Sequence, residues 1–177
     1  MDDKKNPWAD FNNQIKKERE KENELIKKKY SKEKLFKIAI NFALKQDFQK
    51  ALDYFKLVPE KDPKHFLAWV NMGIIYTYHN LLGTIKGGRR TAYYKRHYEE
   101  GIECFKKSLE LKPNDIPSLI GLVDAFRGKK EFTKSIEYFE KIIKIDPKNS
   151  ENWRGIGFAY LEMMEFENAI DYLWRTK

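Results

Sequence analysis

A period of 34 residues runs through this chain, and it limits the fold more than any other feature. Gly101, Ser135 and Ala169 lie 34 apart, each followed four residues later by Phe105, Phe139 or Leu173. Pro113 and Pro147 keep the same spacing. Ala51, Phe55 and Pro63 repeat the triplet 50 residues before Gly101, Phe105 and Pro113, which marks one insertion of 16 residues. A small residue and an aromatic four apart share one helix face. A fixed period of this length means stacked helix pairs, each too small to bury its apolar face alone.

The first half of each unit has its own pattern. Trp69-x2-Met72-Gly73-x2-Tyr76 and Trp153-x2-Ile156-Gly157-x2-Tyr160 are the stronger copies. Leu35-x2-Ile38-Ala39-x2-Phe42 and Leu119-x2-Leu122-Val123-x2-Phe126 are weaker ones. Gly73 and Gly157 allow two helices to approach closely, Ala51 and Ala169 do so from the partner helix, and aromatics fill the space between. Pro63, Pro113 and Pro147 cannot continue a helix and belong to the turns between units.

These motifs closely resemble the tetratricopeptide repeat family over about residues 32–177. The resemblance implies an all-α fold, a right-handed α-solenoid of stacked antiparallel helix pairs. It divides the chain into a charged helical extension, 1–31, and four units: 32–65, 66–115 with an insertion at about 80–95, 116–149 and 150–177. It implies a protein-binding concave groove and not an enzyme. By the family's register, the first helices place Phe36, Ile40, Leu44, Val70, Asn71, Ile74 and Tyr78 in the groove of the first two units. Ile120, Asp124, Arg127, Arg154, Phe158 and Glu162 follow in the last two. The family's clamp for acidic chaperone tails is disfavoured, because at its five positions Phe36, Ile40, Asn71, Pro117 and Gly121 only Asn71 matches.

Local signals place the elements. Ser31 should cap the first repeat helix, running to about Lys45, and Asp47 the second. Pro59 should stop that second helix about one turn early. Gly128 should be the stop signal within the third unit, which spans Asp115 to Ile145. Gly83, Gly87 and Gly88 argue for a loop in the insertion, with Thr91 capping an extended helix from Ala92. In residues 1–31, Trp8, Phe11 and Ile15 form a short apolar stripe that gives way to Glu18 and Glu22, so no coiled coil is sustained. That extension reads either as a loosely docked charged helix or as a segment docking on a partner or on the chain's own groove.

Charge is uneven. The net +8 includes +5 from residues 77–98, which hold five bases and no acid. Lys86, Arg89, Arg90, Lys95 and Arg96 form this basic patch, interleaved with Tyr93, Tyr94 and Tyr98. The mixture suits an acidic partner or nucleic acid, and equally a solvated loop. No run of 18 apolar residues is present, so a membrane partner is not expected. The N-terminus shows no apolar signal core, and the single Cys104 suits a reducing compartment, so the expected location is cytoplasmic.

Catalytic and cofactor signatures are absent. There is no phosphate-cradling glycine loop and no H-E-x-x-H. His97, Glu100 and Cys104 are a turn apart on one helix, but a surface histidine explains them better than a metal set. No catalytic residue, metal or cofactor is therefore expected. The expected function is a scaffold binding a peptide or amphipathic helix in the groove. The alternatives are nucleic-acid association through the insertion, or self-assembly through the C-terminal end, where Ile170, Leu173 and Trp174 lack cover.

Overall fold

The computed structural model describes the backbone of residues 7–83 and 91–175, and the side chains of residues 12–77 and 97–175. Among the described residues there are nine helices and no strand. The fold is all-α, of the solenoid class. The chain divides into two compact units, residues 1–63 and 64–177.

The first unit holds α1 (Pro7–Lys29), α2 (Lys32–Leu44) and α3 (Phe48–Lys61). Ser31 Oγ accepts the Lys34 amide at 3.3 Å, and Asp47 Oδ1 accepts the Lys50 amide at 3.2 Å. Each bond satisfies one of the donors a helix start leaves unpaired. The pair α2 and α3 then buries Leu35 and Ala39 with Ala51 and Phe55. The charged helix α1 touches α3, where Lys27 Nζ meets Glu60 Oε2 at 2.6 Å. Pro59 does not stop α3 as its sequence suggests; the helix continues to Lys61 with Pro59 inside it. Only the last turn lies beyond the proline, so a single backbone bond is lost, and the ring is buried.

The second unit stacks three pairs: α4 (Phe66–Gly83) with α5 (Thr91–Leu111), α6 (Ile116–Gly128) with α7 (Phe132–Ile145), and α8 (Ser150–Glu162) with α9 (Phe166–Trp174). Each second helix also packs on the first helix of the next pair. Helices α4 and α5 run 18 and 21 residues, against 13 and 14 in the next pair. Part of the insertion thus lengthens both helices, and Gly83 ends α4 instead of lying in a loop. Gly87 and Gly88 lie outside the described residues.

The turns within pairs repeat as faithfully as the helices. Gln46, Lys130 and Met164 each take a left-handed φ of 60° to 61°. In each turn the next residue's amide reaches back five positions, as from Glu131 to the Phe126 carbonyl at 2.9 Å. This closes the helix end without a glycine. Gly128 is therefore not the stop signal. Its hydrogen side faces the buried Tyr98, whose ring occupies the space a side chain would need.

The residue after the turn caps the second helix, and here the copies differ. Asp47 makes the cap bond, whereas Glu131 and Glu165 in the same register make none. Glutamate is one methylene too long. Its carboxylate goes to Lys129 and Lys134 at 2.6 and 2.7 Å in one case, and to Asn168 at 2.7 Å in the other. Glu165→Asp should therefore raise stability by about 0.5–1 kcal/mol in urea unfolding, the usual worth of a cap. No gain would mean that the Met164 turn holds the carboxylate out of reach.

Candidate functional site

Each unit has its own candidate face on the first helices of its pairs, α2 in the first unit and α4, α6 and α8 in the second. Helix α2 contributes Phe36 and Ile40, both half-buried, and the exposed Leu44. Phe36 is half-hidden because its ring stands edge-on to Phe55, 5.5 Å between centroids.

In the second unit, α4 gives less of this face than its sequence suggests. Val70 is buried, and Ile74 packs against the cluster of Tyr98, Ile102 and Phe105. Helix α4 is covered by both α5 and α6, so these side chains serve the core. The Asn71 amide donates to the Leu67 carbonyl of its own helix at 2.7 Å. The Tyr78 side chain lies outside the described residues.

Helices α6 and α8 carry the open part. Ile120 is 43% exposed and Phe158 48%, two large apolar side chains in water. Charged groups of both signs surround them. Arg127 lies 3.9 Å from Asp124, and Arg154 pairs with Glu151. A recess of about 430 Å³ brings Asp124, Arg127 and Glu162 together with Thr77, Tyr98 and Phe132. Burial pushes the Asp124 carboxyl above its ordinary range, and Arg127 only partly opposes the shift. Of these, Thr77 and Phe132 are absent from the sequence expectation, and Tyr98 enters it only beside the basic patch. Tyr98 and Phe132 are 34 apart on the second helices, a signal that the motif positions do not use.

A second charged group sits at the turn before α7. Lys129 Nζ bridges Glu99 at 2.5 Å and Glu131 at 2.6 Å. Burial opposes its charge, but the hydrogen bonds it donates to Glu131 and Glu99 outweigh this and hold the ammonium above its ordinary range. The Glu131 carboxyl is held low, first by Lys129 and then by Lys134.

Lys86, Arg89 and Arg90 lie outside the described residues, as do the side chains of Lys95 and Arg96 in α5 and those of Trp8 and Phe11 in α1. His97 Nδ1 is 3.4 Å from Glu100, and its ring stacks on Tyr76. Cys104 is buried. Among the described residues, no group of three or more potential ligands is placed to hold a metal ion, and no helix is long and apolar enough to cross a membrane. Helices α6 and α8 thus carry exposed apolar side chains together with charges of both signs.

Comparison with known proteins fits this architecture. Tetratricopeptide repeat profiles match residues 35–65, 90–115 and 116–149, together about half of the chain. Comparison with curated protein sequences gives no significant match. Among solved structures, MamA (residues 41 to the end) from Desulfovibrio magneticus RS-1 is similar at 22% identity and TM-score 0.66, covering 82% of this chain and 73% of that one. MamA AMB-1 matches at 14% identity and TM-score 0.68, covering 85% and 79%. A tetratricopeptide repeat protein from Parabacteroides merdae ATCC 43184 matches at 17% identity and TM-score 0.58, covering 81% and 50%. At these identities the likeness concerns the fold. With the 34-residue period and the stacked helix pairs, the conclusion is that the chain belongs to the tetratricopeptide repeat family.

Proposed function

We propose that the chain is a protein-interaction scaffold that holds a peptide or helix of its partner on the first-helix face, with α6 and α8 as the principal contact. The observation that carries this reading is the exposure of Ile120 and Phe158 on neighbouring first helices. At 43% and 48% exposure each side chain forgoes about half of the roughly 1.5–3 kcal/mol that full burial gives, and apolar exposure on successive helices of one face suits a binding surface. Membership of the repeat family supports the same general role.

The pattern also describes the ligand. Two apolar anchors call for an amphipathic segment presenting apolar side chains at helical or extended spacing. Arg127, Arg154, Asp124 and Glu162 around them favour a segment with flanking charges of both signs. In the first unit, Leu44 beside Phe36 and Ile40 offers a smaller apolar patch of the same kind.

Affinity capture from the source cell, with the wild-type chain and Ile120→Glu/Phe158→Glu as parallel baits, tests the proposal. Both positions are exposed, so the double variant should keep its helical circular dichroism and unfold within about 1 kcal/mol of wild type. Its recovery of specific partners should fall at least about tenfold, the effect of losing one good apolar anchor. Undiminished capture by a folded variant would remove α6 and α8 as the site.

A further inference from the structure

Two register positions explain the recess beside Gly128 in the second unit. Ile74, Asp124 and Phe158 hold one position of the first helices, 50 and 34 residues apart, the longer step carrying the insertion. Asp124 is thus a carboxylate where the neighbouring first helices carry apolar side chains. Tyr78, Gly128 and Glu162 hold a second position, four residues further along. Gly128 alone of these lacks a side chain, and the Tyr98 ring occupies the space beside it. The result is an opening of about 430 Å³ lined by Tyr98 and Phe132 together with Asp124 of α6 and Glu162 of α8. Its lining is drawn from five successive helices, α4 to α8.

The charges in the recess are not equivalent. Asp124 is half-buried, and burial penalises its ionised form; Arg127, 3.9 Å away, offsets only part of that penalty. Arg127 and Lys130 are exposed, and their long side chains keep the charged heads in water. An anion entering the recess would meet both carboxylates and make the Asp124 charge costlier still. A cation would relieve it. The helix ends add to this preference, because α6 closes at Gly128 and α8 at Glu162. Both therefore turn the negative pole of a helix, its carbonyl end, toward the recess. The aromatic rings suit an alkyl stem and attract a cation. At about 430 Å³ the space is near the lower end of ligand pockets, about 300–1,000 Å³, and suits one long side chain and not a further helix.

We propose that this recess receives a lysine or arginine side chain of the segment docked on α6 and α8, its charged head at Asp124 and Glu162 and its stem against Tyr98 and Phe132. This selectivity rests on the scaffold reading above: Ile120 and Phe158 hold the apolar side of the segment, and the basic residue sets its register.

Butylammonium and butylguanidinium carry the lysine and arginine heads on a short stem. Each is titrated into the full chain at constant ionic strength, with butyrate as the anionic counterpart, and amide shifts in nitrogen–proton correlation spectra report binding. The amides of Gly128, Lys130 and Glu162 should move saturably with at least one cation, at a Kd of about 10 mM or tighter. The amide of Glu167, an exposed carboxylate on α9, should not. The tighter cation distinguishes lysine from arginine. Asp124→Asn/Glu162→Gln should weaken cation binding at least about tenfold with unchanged helical circular dichroism. Glu162→Gln alone, at an exposed position, should weaken it at least about threefold and replaces the double variant if that does not fold. As a further bait in the capture experiment, the double variant should recover at least about tenfold less of the wild-type partners. The proposal is overturned if neither cation saturates by about 100 mM, if butyrate binds as tightly as the cations, or if the folded double variant binds cations or captures partners as well as wild type. Capture that depends on Ile120 and Phe158 without cation binding overturns the recess alone. Cation binding with capture undiminished by Ile120→Glu/Phe158→Glu overturns the scaffold reading and keeps the recess as a cation site.

Discussion

Phe105→Ala is expected to destabilise the second unit by about 4–5 kcal/mol, near the top of the range for deleting a buried aromatic ring. The ring is 1% exposed and lies in a cluster with Tyr98, Ile102, Leu122 and Phe126. It is also wedged between two helices from different pairs. A side chain on Gly73 of α4 would come within 2.7 Å of it, and one on Gly121 of α6 closer still. Phe105 therefore does more than fill the space inside its own pair: it couples that pair to the next. Its removal leaves a cavity bordered by three helix backbones, which are harder to collapse than side chains. Repeat arrays are held by nearest-neighbour contacts, so the loss should spread to α6 and α7. Many domains have only about 5–15 kcal/mol in total, and the variant should sit near its unfolding midpoint without denaturant. Urea unfolding followed by circular dichroism measures the effect, and a loss below about 1 kcal/mol would show that the ring is not the wedge.

The architecture was legible in the sequence because periodicity records it directly. The repeat register placed Phe55, Phe105 and Phe139 in the core, and local capping signals placed Ser31 and Asp47, without tertiary information. What periodicity could not give was the direction of each close approach. Gly128 reads as a stop signal, yet it makes room for Tyr98 while the non-glycine Lys130 takes the left-handed turn. Gly121 reads only as an empty clamp position, although it and Gly155, 34 apart, each admit an aromatic ring from the preceding pair. Pro59 has the right local physics and the wrong outcome, because so little helix follows it.

The face of the first helices was partly legible for the same reason. Register assigns a position to a helix side, but exposure depends on how many neighbours cover the helix. Ile120 and Phe158 stay open, while Val70 and Ile74 on the doubly covered α4 are drawn into the core. The Lys129 bridge to Glu99 and Glu131 leaves no mark in a linear pattern, since the long lysine side chain spans two pairs. Ile170 and Trp174 of α9 were legible as outward-facing, and they are 56% and 64% exposed.

Gly121→Ala brings two opposed effects together, and their sizes decide the sign. In an exposed helix interior the change would stabilise by about 1 kcal/mol, because alanine restricts the unfolded chain and favours the helix. Here the new methyl group would fall inside the van der Waals envelope of the Phe105 ring. The ring cannot retreat, because Gly73 of α4 already crowds the same end of it. Overpacking of this kind costs about 1–3 kcal/mol, more where the neighbour is rigid, and it should win. The expected net loss is about 1–2 kcal/mol, opposite in sign to the helix-propensity effect. Shortening the wedge should reverse the outcome. In a Phe105→Leu background the ring end that meets both glycines is gone, and the added methyl group then fills space that would otherwise be empty. Gly121→Ala should become neutral or stabilising there, giving a coupling energy of about 1.5–3 kcal/mol in a double-mutant cycle by urea unfolding. Gly155→Ala against Phe139→Leu should behave in the same way one pair further along, since the would-be methyl group on Gly155 meets the Phe139 ring. If both cycles were additive within about 0.5 kcal/mol, the glycines would not be there to admit the rings.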